Sequence, residues 1–172
     1  MWLPPERGPY SGKRGARAAR VLQIRSGHSH VADSLTSLPL PFEFVIDGPP
    51  VSQQTRRRER YHDWKADVRR VAEQSWPSAE LPVTEPVMLT ITYFYDETSM
   101  DVDNIPKPIS DALNGLVYVD DSQVNDVLCR RRDLSAGLRV RDPSPVLASG
   151  FDRRGEFLHV IVDLAPDQEV IL

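Results

Sequence analysis

Proline punctuates this chain so heavily that long regular elements have few places to form. Fifteen of the 172 residues are proline, about twice the usual ~5%. Gly48-Pro49-Pro50 stops any element before it. Pro77 ends another, because the residue before a proline avoids the helical region. Between these stops the hydrophobic pattern is readable. Phe42 to Asp47 alternates well enough for a strand. Residues 51–60 read as an exposed basic loop. Tyr61, Trp64, Val68, Val71, Ala72 and Ser75 follow helical spacing. Val87 to Tyr95 is apolar on both faces, which predicts a central strand. A short helix is expected to end at Asn114-Gly115. Val117 to Val119 reads as a brief strand, with further strands at Val124 to Arg132 and Phe157 to Leu164. Residues 133–155 read as a long loop or insertion.

These elements predict one α/β (or α+β) domain over residues 41–165, with a small mixed sheet and two principal helices. Residues 1–40 mix Pro, Gly, Ser and Arg and bury little, so they are expected to form a disordered basic tail. Their Arg-rich, acid-poor make-up also resembles a transit peptide. Residues 166–172 are expected to be a short C-terminal tail. One cysteine, Cys129, cannot form an internal disulfide or a Cys-rich zinc site, so a reducing, cytoplasmic setting is expected. No run of ~18 apolar residues predicts a membrane span, and the basic N-terminus lacks the apolar stretch of a secretory signal.

Charge is unevenly placed. The net value of −4 argues mildly against a nucleic-acid binder. Residues 51–75, however, carry seven Lys/Arg against four acids, and residues 130–141 carry five Arg against one acid. Residues 96–126, between them, carry eight acids and one Lys. An acidic centre between basic segments suggests a cation site beside a polyanion track. The plain alternative is chance clustering with local ion pairs.

The acidic centre contains the informative string, Asp101-Val102-Asp103-Asn104-Ile105-Pro106-Lys107-Pro108-Ile109-Ser110-Asp111-Ala112-Leu113-Asn114-Gly115, then Asp120-Asp121-Ser122-Gln123. In extended chain Asp101 and Asp103 project from one face. Two adjacent carboxylates repel unless a cation lies between them, and a hard ion such as Mg²⁺ or Mn²⁺ suits oxygen donors. A calcium loop of the EF-hand kind needs an oxygen ligand and then Gly where Ile105 and Pro106 stand. A zinc site lacks Cys and paired His: His28 and His30 sit in the tail, and His62 and His159 are isolated. Pro106 and Pro108 fit one helix only in its first turn, which Asn104 as N-cap would achieve. Lys107 then lies near the acids. It either pairs with Asp111 four residues on or stabilises charge developing on a phosphate. Of Asp120 and Asp121, neighbours in extended chain, one is expected to face Asp101 and Asp103. Converging carboxylates plus a lysine form a phosphodiester-cleaving layout.

The same string, with Asp120-Asp121-Ser122-Gln123-Val124, resembles the RusA family of Holliday junction resolvases. The Gly48-Pro49-Pro50-Val51-Ser52 turn and the helix containing Trp64 resemble that family's N-terminal part. The likeness covers roughly residues 42–132 and, more loosely, the last strand. It implies a Mg²⁺-dependent (or Mn²⁺-dependent) homodimeric endonuclease that resolves four-way DNA junctions by paired nicks. Carried over by position, Asp101, Asp103 and Asp121 would bind metal, Lys107 would be catalytic, and Asp120 would be an accessory acid. Arg56, Arg57, Arg58, Arg60, Arg130 and Arg132 would meet DNA phosphates. The 40-residue extension and the Arg-rich 133–155 segment depart from the family pattern. Two other readings remain: a junction-binding module without catalysis, and a different metal-dependent nuclease or phosphatase.

Overall fold

The computed structural model describes residues 39–52, 54–96, 100–153 and 155–167. These lie in one unit, Thr36–Leu172; the other, Met1–Leu35, is outside the described residues, as are most of the two expected tails. Strands β1 (Phe42–Asp47), β2 (Val87–Tyr95), β3 (Val124–Asp133) and β4 (Phe157–Leu164) form one sheet in the order β1-β4-β2-β3. The β1–β4 and β4–β2 pairs are antiparallel and β2–β3 is parallel, so the sheet is mixed. Its most apolar strand, β2, lies inside the sheet, as its two apolar faces require.

Strand alternation divides the apolar side chains between two cores. Phe42, Phe44 and Ile46 of β1, Val87, Leu89, Ile91 and Tyr93 of β2, and Leu158, Val160 and Val162 of β4 share one buried cluster. Helix α1 (Arg58–Ser75) and helix α2 (Pro106–Leu113) close that cluster, through Trp64, Val68 and Ala72 from α1 and Ile109, Ala112 and Leu113 from α2. The opposite residues, Val45, Phe94 and Phe157, form a second, smaller cluster. Among the described helices, none is long and apolar enough to cross a membrane.

The second cluster corrects the expectation of two helices and a bare 133–155 loop. That segment holds a 3₁₀ turn at Leu134–Ala136 and a third helix, α3 (Pro145–Phe151). Ser144 caps α3 by accepting from the Leu147 N–H at 3.0 Å, and Pro145 takes the first helical position, where no N–H is needed. The expected strand at 117–119 is also absent: Tyr118 makes only isolated bridges, to Val83 and Asn114. Helix α1 starts at Arg58, so Arg58 and Arg60 are helical rather than part of a loop.

Helix α3 meets β4 at Gly150. A Cβ there would sit 2.5 and 2.9 Å from ring carbons of Phe157. That ring is held by Phe94, stacked at 4.5 Å, and by Phe151, edge-on at 5.2 Å. Gly→Ala inside a helix normally stabilises by about 1 kcal/mol. Here overpacking should reverse the sign, and Gly150→Ala is expected to destabilise by about 1–3 kcal/mol in urea unfolding. A rise in stability would show that the Phe157 ring gives way.

Candidate active site

The expected chemistry lies on the connection between β2 and β3. The connection leaves β2 at a fixed point: the Asp96 N–H donates to Glu156 Oε1 at 3.0 Å, and Tyr93 Oη donates to Glu156 Oε2 at 2.6 Å. Burial, and then this bond to Glu156, raise the Tyr93 phenol above its ordinary range. Asp101 is extended, but Asp103 lies in a 3₁₀ turn, Val102–Asn104. The two acids therefore do not alternate along an extended strand. The Asn104 N–H closes this turn on the Asp101 carbonyl at 3.1 Å. The helix consequently starts one residue later than expected, with Ile105 as N-cap and the prolines at its first and third positions. Both remain in the first turn, where their missing N–H groups cost nothing.

Lys107 is held between two acids. Its ammonium lies 2.7 Å from Asp111 Oδ1 and 2.9 Å from Asp121 Oδ2. Hydrogen bonds to Asp111 and then to Asp121 raise its pKa above the ordinary lysine value. The side chain therefore stays a cation across the neutral range. It can donate to and neutralise an anionic group. The plain i, i+4 pair and the contact with a distant acid both exist.

Asp120 and Asp121 take separate tasks. Asp120 caps the 3₁₀ turn Asp121–Gln123, accepting from the Ser122 N–H at 3.0 Å, while Gln123 Oε1 accepts from the Asp120 N–H at 2.9 Å. The bonds to Ser122 lower the Asp120 pKa. Asp121, the next residue, faces Lys107. Gln123 Nε2 also donates to the carbonyls of Val83 and Glu85, each at 3.0 Å, and so fixes the turn against a neighbouring segment.

Three further residues support α2 and were not singled out as part of the site from sequence. Tyr118 Oη donates to the Ser110 carbonyl at 2.8 Å, and burial pushes its pKa up to about 12. Arg69 of α1 reaches the end of α2, donating to the carbonyls of Ala112 at 3.2 Å and Asn114 at 2.7 Å. Such capping satisfies carbonyls that the helix leaves without partners. Tyr61 Oη stands 3.4 Å from Asp111 Oδ2, on the side away from Lys107 Nζ's own oxygen, Oδ1. The missed signal for Gln123 was the Asp-x-x-Gln spacing of a capping box.

Arg56 and Arg57 precede α1, Arg58 and Arg60 lie in its first turn, and all four are exposed. A cavity of about 360 Å³, lined by Pro50, Ser52, Thr55, Arg60 and Met100 among others, joins this basic corner to the residue before Asp101. On β3, Arg130 and Arg132 pair with Thr92 and Phe94 and share a face, while Arg131 faces the other way and donates to the Met100 carbonyl at 3.1 Å.

The sequence family decides what this arrangement belongs to. A family described as endodeoxyribonuclease RusA matches residues 48–141, more than half of the chain. The chain belongs to the RusA family. Comparison with curated proteins found no match. The RusA match takes in α1, β2, α2, β3 and every candidate site residue, and leaves out β1, α3 and β4.

The acids of this connection, Asp101, Asp103, Asp111 and Asp121, offer carboxylate oxygens only, donors that suit a hard cation. Asp111 and Asp121 already share one positive charge, on Lys107. Among the described residues, no three His, Cys, Asp or Glu side chains are gathered closely enough to hold an ion.

The shared lysine is testable in solution. The chain has three lysines, Lys13, Lys65 and Lys107, so their NMR titrations are separable. Asp111→Asn and Asp121→Asn should each lower the Lys107 pKa. Asp120→Asn should leave it unchanged, because the cap does not touch the ammonium.

Proposed function

We propose that this RusA-family protein is a divalent-metal-dependent endodeoxyribonuclease that resolves four-way DNA junctions by paired nicks, acting as a homodimer. The observation that carries this reading is the Lys107 ammonium set between Asp111 and Asp121 on the segment that the family match covers.

Asp101, Asp103 and Asp121 would hold Mg²⁺ or Mn²⁺, with Asp120 confined to its capping role. A bound ion would lower the pKa of a water and neutralise a phosphate oxygen. With Asp121 engaged by an ion, Asp111, one turn along the same helix, would still hold the Lys107 ammonium. The Lys107 ammonium then donates to a phosphate oxygen and stabilises the charge that grows there. Arg56, Arg57, Arg58 and Arg60 follow the DNA backbone, and the β3 arginines extend that track. Arginines at the start of α1 oppose the helix's own dipole, with Glu59 the one acid in that turn. Their placement is more readily explained by an external anion than by helix stability. One chain carries one such site, and two symmetrical nicks require two copies related by a two-fold axis.

Labelled junction, duplex and flap DNA, incubated with Mg²⁺ or EDTA, tests the reading. Paired junction nicks should appear with Mg²⁺ and vanish with EDTA. Asp121→Asn should reduce cleavage by ~10²-fold or more while junction binding persists. Binding without cleavage in the wild type would leave a non-catalytic junction binder. Cleavage of all three substrates alike would point to a general nuclease.

The arginine track makes a separate prediction. Replacing Arg56, Arg57 and Arg58 with Ala should weaken binding to junctions of different sequence by similar factors. It should also flatten the slope of log affinity against log salt by roughly 2–3, near 0.9 for each phosphate that is no longer neutralised. An unchanged slope would return these residues to the solvated surface.

A further inference from the structure

The outer edge of β3 is a long one to leave unpaired. The strand runs ten residues, Val124–Asp133, without proline, and among the described residues only β2 pairs with it. Val127 is 50% exposed and Leu128 44%, on opposite faces of the strand. Edges of this kind recruit another strand unless charge, proline or brevity prevents it. Here the charges do not simply repel. Among the described residues, neither Asp126 nor Arg130 makes an ion pair, although they flank Leu128 on one face.

Symmetry limits how β3 can pair with its own copy. A two-fold axis relating antiparallel neighbours stands perpendicular to the sheet and keeps every side chain on its own face. Opposed residues must share a face, so the axis has to pass through a residue that meets itself. An axis at Arg130, Arg131 or Arg132 sets like charges against each other. At Val127 it opposes Asp126 to Leu128 and Val124 to Arg130. At Cys129 it pairs Asp126 with Arg132 but opposes Leu128 to Arg130 and Val127 to Arg131, so both apolar side chains next to the axis meet charges. At Leu128 the three central pairs are complementary: Leu128 meets the partner's Leu128, Val127 meets the partner's Cys129, and Asp126 meets the partner's Arg130, the last two twice over; the mismatch, Val124 with the partner's Arg132, falls at the ends of the pairing.

From this we infer that the edge of β3 is the self-association surface, joining two sheets into one through antiparallel β3 strands centred on Leu128. The inference deepens the homodimer reading above by naming its surface. The pairing would occupy Arg130 with the partner's Asp126, so of the two β3 arginines placed on the DNA track above, Arg130 and Arg132, only Arg132 would stay on it.

Light scattering on the full chain tests the surface by charge exchange. Wild type should be a dimer. Asp126→Arg and Arg130→Asp should each weaken association at least tenfold, since each places like charges opposite one another. The double variant, Asp126→Arg with Arg130→Asp, should restore the dimer, which a merely misfolded strand would not do. Val127→Cys, treated with diamide, should cross-link to the partner's native Cys129, whereas wild type should not. A monomeric wild type overturns the inference, as does a dimer that ignores both single substitutions. Wild-type cross-linking through Cys129 alone overturns the register. A charge-reversible dimer that leaves junctions uncut sinks the nuclease reading instead and spares this one.

Discussion

The parallel pairing of β2 with β3 is the constraint from which the rest follows. Antiparallel neighbours can be joined by a tight turn, but parallel ones need a connection that travels back along the sheet. That return, residues 96–123, carries Asp101, Asp103, Lys107, Asp111 and Asp121. The candidate site is thus the product of a topological need. The chain had to cross, and α2 is the crossover. Its buried face, Ile109, Ala112 and Leu113, packs on the sheet with α1, which leaves Lys107 on the outside. The apolar burial that holds the crossover down, ~1.5–3 kcal/mol for each large side chain, also sets which way its charges point.

Within that frame the electrostatics are economical in number. Lys107 lies between two carboxylates from different elements, one on its own helix and one fourteen residues later. Both raise its pKa, and both would repel each other without it. The pairs are partly exposed, so they add little stability. Their value lies in keeping a fixed, protonated donor beside acids that can accept a cation. Behind them, buried Tyr118 holds the middle of α2 and half-buried Arg69 holds its end.

Much of this was legible in the residues because strand alternation and proline positions are local signals. β1 and β4 have the bounds that periodicity gives, and β2 has the central place its two apolar faces imply. α3 was missed because only seven residues form it and its apolar face is short, although Ser144-Pro145 marks a helix start. The shift of the α2 cap from Asn104 to Ile105 follows from a backbone bond to Asp101 that no side-chain pattern announces. In the sequence, extended chain allows only one of Asp120 and Asp121 to face the other acids, and the family resemblance alone prefers Asp121. The structure separates them for another reason, a capping box that occupies Asp120. Tyr118 and Arg69 act on α2 from outside it, and contacts across 8 and 43 residues leave no periodic trace.

Gln123 ties the turn bearing Asp121 to the carbonyls of Val83 and Glu85, on a segment that supplies no residue to the candidate site. Both Nε2 hydrogens are committed there and Oε1 to the Asp120 N–H, so the whole amide is used. A glutamate of the same size could keep the acceptor but would turn an oxygen toward two carbonyls. The position of the Asp121 carboxylate is therefore inherited from a stretch of plain backbone before β2. Natural variation can alter the side chains of Thr84 and Glu85 provided the main chain keeps its path, whereas Val83 is also held by its burial in the core. The amide at 123 has no such freedom. Constraint in this region falls on a neutral side chain and a backbone trace, where a survey of charged residues would not look.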